Sequence, residues 1–255
     1  TIYLMNTIAG VFVEPRMVKQ IYFNIENFFN VLPDNNLYFF CGKNTKSIHI
    51  TNLKKYQYNE INLIIHELDA PDLDFTSYSA LFKSFYILDK VKEDFILTIQ
   101  TDGCLCEKSQ FNIRDFLKYD YVGGYAFQKW WWKETRNLHD YNEFQCFNGG
   151  FSLRNKQAMI KVVKTFPPKN TLKFFAGCKM EHFPEDLYFV VGMLKLKMNV
   201  GLDEFSTRFC THTSYIKPTF CVHKLHSYEK KENILKFLEY CPEYKRFMNL
   251  NKIEM

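Results

Sequence analysis

Apolar residues recur along this chain with two distinct periods. Ile8–Val13 is a short unbroken apolar run closed by Glu14, Pro15 and Arg16, and it predicts a buried strand. Met17, Val18, Ile21, Ile25, Phe28, Phe29 and Leu32 then repeat at helical spacing as far as Pro33. Leu37–Phe40, followed by Gly42, predicts a second strand, and Ile61–Ile65 a third. Thr76 or Ser77 can cap a helix carrying Leu81, Phe82, Phe85 and Leu88 on one face. Phe95–Ile99 predicts a fourth strand, apolar on both faces and therefore central.

Strands alternating with helices in this way imply an α/β fold, a mixed and mostly parallel sheet flanked by helices. In open sheets of that kind ligands gather at the carboxyl ends of the strands. Those ends carry Glu14 and Arg16, then Gly42 and Asn44, then Thr101 and Asp102. The second half is less regular. Lys118–Ala126 contains a short strand, and Phe127–Phe147 shows no clear period and reads as a long loop. Asn148-Gly149-Gly150 reads as a turn leading into the strand Phe151–Leu153. Asn155 can cap a helix bearing Met159, Val162, Val163 and Phe166, and Pro184-Glu185-Asp186 opens another with Leu187, Val190, Val191 and Leu194. With no internal repeat and no linker rich in Gly or Ser, one domain over residues 1–241 with a tail at 242–255 is the simplest expectation.

Composition changes this picture little. The chain is 47% hydrophobic and 24% charged, with only 10 Gly and 8 Pro, which excludes a disordered or low-complexity protein. The 26 Phe and 16 Tyr suit a genome biased toward A and T, so a generic aromatic carries little weight. A net charge of +5 would favour an anionic substrate by steering. The lysines are scattered, and Lys230-Lys231 sits between Glu229 and Glu232, so there is no basic stripe for nucleic acid. The eight cysteines form no disulfide framework, and Cys104 and Cys106 are too close together for zinc-knuckle spacing. A reduced, cytoplasmic location is expected, since neither a membrane span nor a signal peptide is visible in residues 1–255.

Candidate chemistry concentrates in Gln100-Thr101-Asp102-Gly103, Asn148–Arg154, Pro184-Glu185-Asp186 and Val222-His223-Lys224. Each has a plain structural explanation as well. Asp-Gly starts turns, paired glycines suit a hairpin, and carboxylates in a first helical turn are stabilised by the dipole. His223, in an apolar stretch, could be packed and hydrogen-bonded, with His226 a rival for the same role. Arg16 at a helix start opposes the dipole, which points it toward a diphosphate or base. Tyr78 and Lys83 are further donor-site candidates. The run Trp130-Trp131-Trp132 cannot face one core in a helix or a strand, so at least one ring is available as a sugar platform.

The order and spacing of these pieces, with Tyr119–Gly123, resemble the GT-A glycosyltransferases. They are most similar to a poorly characterised glycosyltransferase family of bacteria, fungi and large DNA viruses. Gly149–Met159, Phe166-Pro167 and Glu185-Asp186 are also similar to the acceptor region of inverting β-1,4-galactosyltransferases. The resemblance spans roughly residues 8 to 226. It implies transfer of a sugar from a nucleoside diphosphate, UDP by analogy, to a hydroxyl on a glycan or protein acceptor. By that resemblance Asp186 would be the base and Glu185 would bind acceptor hydroxyls. Glu14, Arg16, Asn44, Tyr78, Lys83, Thr101, Asp102 and Lys224 would meet the donor, and Asn148, Gly149, Gly150 and the three tryptophans the acceptor. GT-A enzymes usually carry Asp-x-Asp, whereas Asp102 is followed by Gly103 and Cys104. A Mn2+ or Mg2+ ion would then rest on Asp102, His223 and the diphosphate. The shortened motif equally suits a degenerate domain that binds without turnover. A nucleotidyltransferase ranks behind both, because Ile8–Arg16 offers only Gly10 where a Gly-rich loop is expected.

Overall fold

The computed structural model of the chain describes residues 7–54, 62–126, 145–170 and 184–253. Strands β1 (Ile8–Glu14), β2 (Asn36–Cys41), β3 (Leu63–Glu67) and β4 (Phe95–Ile99) lie close to the apolar runs that predict them. Side chains alternate across a strand. Ala9, Val11 and Val13 accordingly join Tyr38, Phe40 and Ile96 in one core, while Ile8 and Phe12 join Leu37, Phe39 and Leu97 in a second. Burial on both faces is why these strands read as continuous apolar runs.

Helix α1 (Gln20–Val31) lays Ile21, Ile25 and Phe28 on the second core, and α2 (Lys46–Leu53) follows β2. The single helix expected from Thr76 or Ser77 to Leu88 is two, α3 (Phe75–Phe82) and α4 (Phe85–Lys90). Asp74, not Thr76 or Ser77, caps the first by accepting from the Ser77 amide. Ser84 interrupts the pattern because its hydroxyl accepts from the Tyr86 amide and starts a new helix.

Beyond β4 the sheet is completed by β5 (Gly103–Leu105), β6 (Tyr121–Tyr125), β7 (Cys146–Asn155), β8 (Cys210–Thr211) and β9 (Cys221–His223). The described strands form one sheet in the order β3-β2-β1-β4-β7-β6-β8-β9-β5. It is parallel from β3 to β4, and β7 then runs antiparallel to both β4 and β6. Asn148-Gly149-Gly150 therefore lies inside a long strand and is not the turn expected from its composition.

Helix α5 (Lys156–Thr165) starts where Asn155 accepts from the Ala158 amide, as its sequence predicts. Helix α6 (Glu185–Lys195) follows Pro184. Helices α7 (Lys231–Tyr240) and α8 (Pro242–Leu250) close the chain. Most of the segment set apart as a tail is α8, whose Tyr244, Phe247 and Met248 are buried with Phe23, Cys104 and Cys106 in a third core. The seven described cysteines are free thiols and buried, several of them in these cores. Among the described residues no helix is long and apolar enough to cross a membrane.

Candidate functional site

The carboxyl ends of β1 and β4 meet at a cleft of about 200 Å³, lined by Glu14, Arg16, Phe75, Tyr78, Gln100, Thr101 and Asp102 among others. Glu14 is buried, and its carboxylate accepts from the Arg16 backbone amide, Nε and Nη2. Thr101 Oγ1 donates to the same carboxylate at 3.4 Å. Arg16 keeps its side chain 56% exposed, so its charge faces the cleft while Glu14 fixes its orientation. Gln100 donates to the Tyr78 hydroxyl at 3.1 Å, and burial pushes that phenol well up from its usual range.

A second cavity of about 230 Å³ shares Phe75, Tyr78 and Gln100 with the first. Its walls include Asn148, Gly149, Gly150, Glu185, Asp186, His212, His223, Lys224 and Tyr228. Asp102 stands at the junction. Its Oδ2 lies 3.0 Å from Lys224 Nζ and its Oδ1 2.7 Å from His223 Nε2. Antiparallel pairing of β5 with β9, which sets Gly103 opposite His223, fixes this meeting. The Lys224 amide also donates to the Asp102 carbonyl at 2.9 Å. Burial alone would raise the Asp102 carboxyl, but the pull of His223 and Lys224 outweighs it and holds the group well below the ordinary range.

The glycines of β7 are required by close approach. A Cβ on Gly150 would lie 2.2–2.6 Å from three atoms of the His223 ring. One on Gly149 would meet Asp186 Cβ at 2.6 Å and Arg154 Nη2 at 2.8 Å. On its far side His223 stacks on His212, with ring centroids 4.9 Å apart. His212 is buried, which lowers its pKa to about 3, and its Nδ1 lies 2.9 Å from the His223 carbonyl.

At the other wall Asp186 is half-buried in the first turn of α6. The Gly149 amide donates to its Oδ2 at 3.1 Å and the Leu187 amide to its Oδ1 at 2.7 Å. Burial first, and then the charge of Glu185, raise the Asp186 carboxyl to about 7. Glu185 is engaged elsewhere through one oxygen, while its Oε2 is buried with no hydrogen-bond partner among the described residues. Its Oε1 accepts from Arg154 Nη2 at 2.9 Å, and neither side chain is more than 6% exposed. Arg154 also donates to Ser152 Oγ and to the Gly149 carbonyl, and its guanidinium lies 5.2–5.7 Å from the ring centroids of Phe82, Tyr121 and Phe189. The expected contact of Glu185 with acceptor hydroxyls therefore competes with a buried ion pair.

Several candidates fall outside this arrangement. Asn44 is an exposed residue of left-handed backbone after β2 and lines neither cavity. Lys83 is half-buried behind the site, 5.9 Å from the Tyr188 ring, and burial lowers its pKa. His226 turns to the Tyr244 hydroxyl. Trp130, Trp131 and Trp132 lie outside the described residues. Conversely, Phe75, His212 and Tyr228 belong to the site without having been singled out, and Gln100 and Arg154 stood inside candidate pieces without a role of their own. Arg154 had a visible signal, a cation in a run of otherwise buried strand positions. The others had none, because aromatics, Gln and His are ordinary surface or core residues at any one position.

The resemblance to GT-A enzymes raises the question of a divalent metal. Asp102 Oδ1 and His223 Nε2 are close enough to share one ion, and both atoms are buried without an aligned hydrogen bond. Among the described residues, however, no group of three His, Cys, Asp or Glu side chains converges. Among the described residues His223 Nδ1 also has no partner to orient the ring, and the second Asp102 oxygen already faces Lys224. These residues do not make a fitting divalent-cation site.

Comparison with solved structures gives the fold. A galactosyltransferase LgtC in complex with donor and acceptor sugar analogs superposes with a TM-score of 0.55 at 12% identity, covering 95% of this chain and 94% of that one. The apo form of the glycosyltransferase GlyE of Streptococcus pneumoniae TIGR4 gives 0.50 at 12% identity, covering 86% of this chain and 54% of that one. The single α/β domain with its mixed, largely parallel sheet thus matches the GT-A arrangement. A search of curated protein sequences finds no significant match. One family profile, described as "Protein of unknown function (DUF5672)", matches residues 67–224, which run from the last residue of β3 to Lys224 and hold Asp102, Asp186 and His223. Matched over more than half its length, the chain belongs to this DUF5672 family.

Proposed function

We propose that this chain is a glycosyltransferase that moves a sugar from a nucleoside-diphosphate sugar, UDP-linked by analogy, to a hydroxyl acceptor with inversion. The observation that carries the reading is Asp186. It is a half-buried carboxylate on a cavity wall, oriented by two backbone amides and raised to about 7, on the cavity that also holds Lys224 and His223. A base tuned near neutral pH suits proton removal from a weakly acidic hydroxyl.

In this reading the nucleotide lies along the β1–β4 cleft against Arg16, Thr101 and Tyr78, with its diphosphate toward Asp102 and Lys224. The acceptor lies along Asn148, Gly149 and Gly150, where the absence of side chains leaves room beside Asp186. Its oxygen attacks the anomeric carbon as the bond from that carbon to the diphosphate oxygen breaks. The hydroxyl proton passes to Asp186, and the nucleoside diphosphate leaves with the bond's electron pair. Glu185, held by Arg154, keeps negative charge next to Asp186 and so keeps it basic.

The test is a panel of nucleotide sugars scored for nucleotide release, followed by the anomeric configuration of any product by NMR. Release that disappears in Asp186→Asn and falls in Asp102→Ala supports the proposal. Binding without release in every donor would favour the degenerate domain that the single carboxylate at Asp102-Gly103 suggests. If no donor is bound or cleaved and Asp102→Ala changes nothing, the enzyme reading is wrong.

A further inference from the structure

The junction between the two cavities already carries a cation of the chain's own. Lys224 has left-handed backbone with φ 51°, an uncommon state for a residue other than glycine. Its amide donates to the Asp102 carbonyl and its carbonyl accepts from the Ser227 amide, both at 2.9 Å. That local geometry delivers the ammonium to Asp102 Oδ2 while leaving the side chain 43% exposed to the cavity. Arg16 also reaches the cleft that Asp102 lines, but its guanidinium is already paired with Glu14 and lies 3.8 Å from Asp72, which leaves Lys224 as the principal cation.

We propose that this site neutralises the diphosphate of its donor with the chain's own cations, Lys224 foremost, and binds it without a divalent metal. The proposal rests on the reading of the site as a nucleotide-sugar site. Three observations carry it. The described donor set stops at Asp102 and His223, two ligands where a dedicated hard-cation site draws on more oxygens. A histidine that ligates a metal through one nitrogen is normally steered by a hydrogen bond at the other, and His223 Nδ1 is buried with none among the described residues. Finally, a divalent ion on the Asp102 carboxylate would face the Lys224 ammonium at short range in a partly desolvated cleft, where repulsion is weakly screened. When a diphosphate enters, Lys224 exchanges Asp102 for phosphate oxygens, and Asp102 stays beside His223.

The experiment is calorimetric titration of UDP into the full chain, once with EDTA and once with excess Mn2+. The expected result is a Kd that agrees within about threefold between the two buffers. Lys224→Met, at a half-exposed position that should not disturb the fold, weakens binding by roughly tenfold or more, and Lys224→Arg restores most of it, as the loss of a charge-assisted contact requires. Asp102→Asn retains UDP binding, because it frees the ammonium, whereas a metal-dependent site would lose it. Binding that needs Mn2+ or tightens with it beyond about threefold overturns the proposal, as does an unchanged Kd in a folded Lys224→Met. If UDP, GDP and CDP all fail to bind in either buffer, the nucleotide-sugar reading falls first and this proposal with it.

Discussion

Breaking the Arg154–Glu185 pair should damage the protein more than any other single polar change near the site. The two groups are 2.9 Å apart, with Arg154 fully buried and Glu185 side chain 6% exposed. With charge centres about 4 Å apart, their attraction at an effective dielectric near 20 is about 4 kcal/mol. Removing one partner leaves the other charged and buried, at a typical loss of about 3–5 kcal/mol. For a domain of this size that is a fall in Tm of roughly 6–20 °C, at about 2–4 °C per kcal/mol. Arg154→Met and Glu185→Gln should each show it in thermal or urea unfolding followed by circular dichroism. The double variant Arg154→Met/Glu185→Gln buries no charge there. It should lose at least about 2 kcal/mol less than the two single losses added together. Additivity within about 0.5 kcal/mol would refute the claim that the pair is coupled. Single variants as stable as the parent chain would refute the burial argument itself.

The same carboxylates set a pH dependence. The Asp186 carboxyl is raised from 3.8 to about 7, so the native state binds that proton more tightly than the unfolded chain, and stability contributed by this group falls as pH rises across that window. Transfer that needs the carboxylate should rise toward and through pH of about 7, and Glu185→Gln should move this limb of kcat/KM to lower pH; a limb that stays or moves upward contradicts the assignment. Gly150→Ala should push His223 away from Asp102, since its Cβ would sit 2.2–2.6 Å from a ring backed by His212. Overpacking of this kind destabilises by about 1–3 kcal/mol, read as a loss of stability in thermal or urea unfolding. Asn155→Ala removes the cap on α5, and unfolding should show a loss of about 1 kcal/mol with no change in nucleotide affinity.

Legibility from sequence divides along physical lines. The parallel half of the sheet was readable because strands buried on both faces leave continuous apolar runs, and β1, β2 and β4 sit where those runs lie. The rule that ligands gather at carboxyl edges led directly to Glu14, Arg16, Thr101 and Asp102, all of which line one cleft. Asn148-Gly149-Gly150 was misread because paired glycines look alike whether a turn needs positive φ or a strand needs bare backbone. Only the His223 ring and the Asp186 side chain packed against them distinguish the two. The helix after Asp74 was read as continuous because periodicity survives a break that a single serine hydroxyl creates.

By itself the sequence determined the α/β class, the place of the buried strands and which loops could carry chemistry, because burial and periodicity are properties of local segments. Tertiary structure alone decided the partnerships. Lys224 faces Asp102, Glu185 faces Arg154 and His212 backs His223. Each of these depends on a register between strands, or on a strand meeting a helix, far apart in the chain. The physical reason is that a charge's role is set by its burial and nearest counter-charge, and no spacing within the chain encodes either.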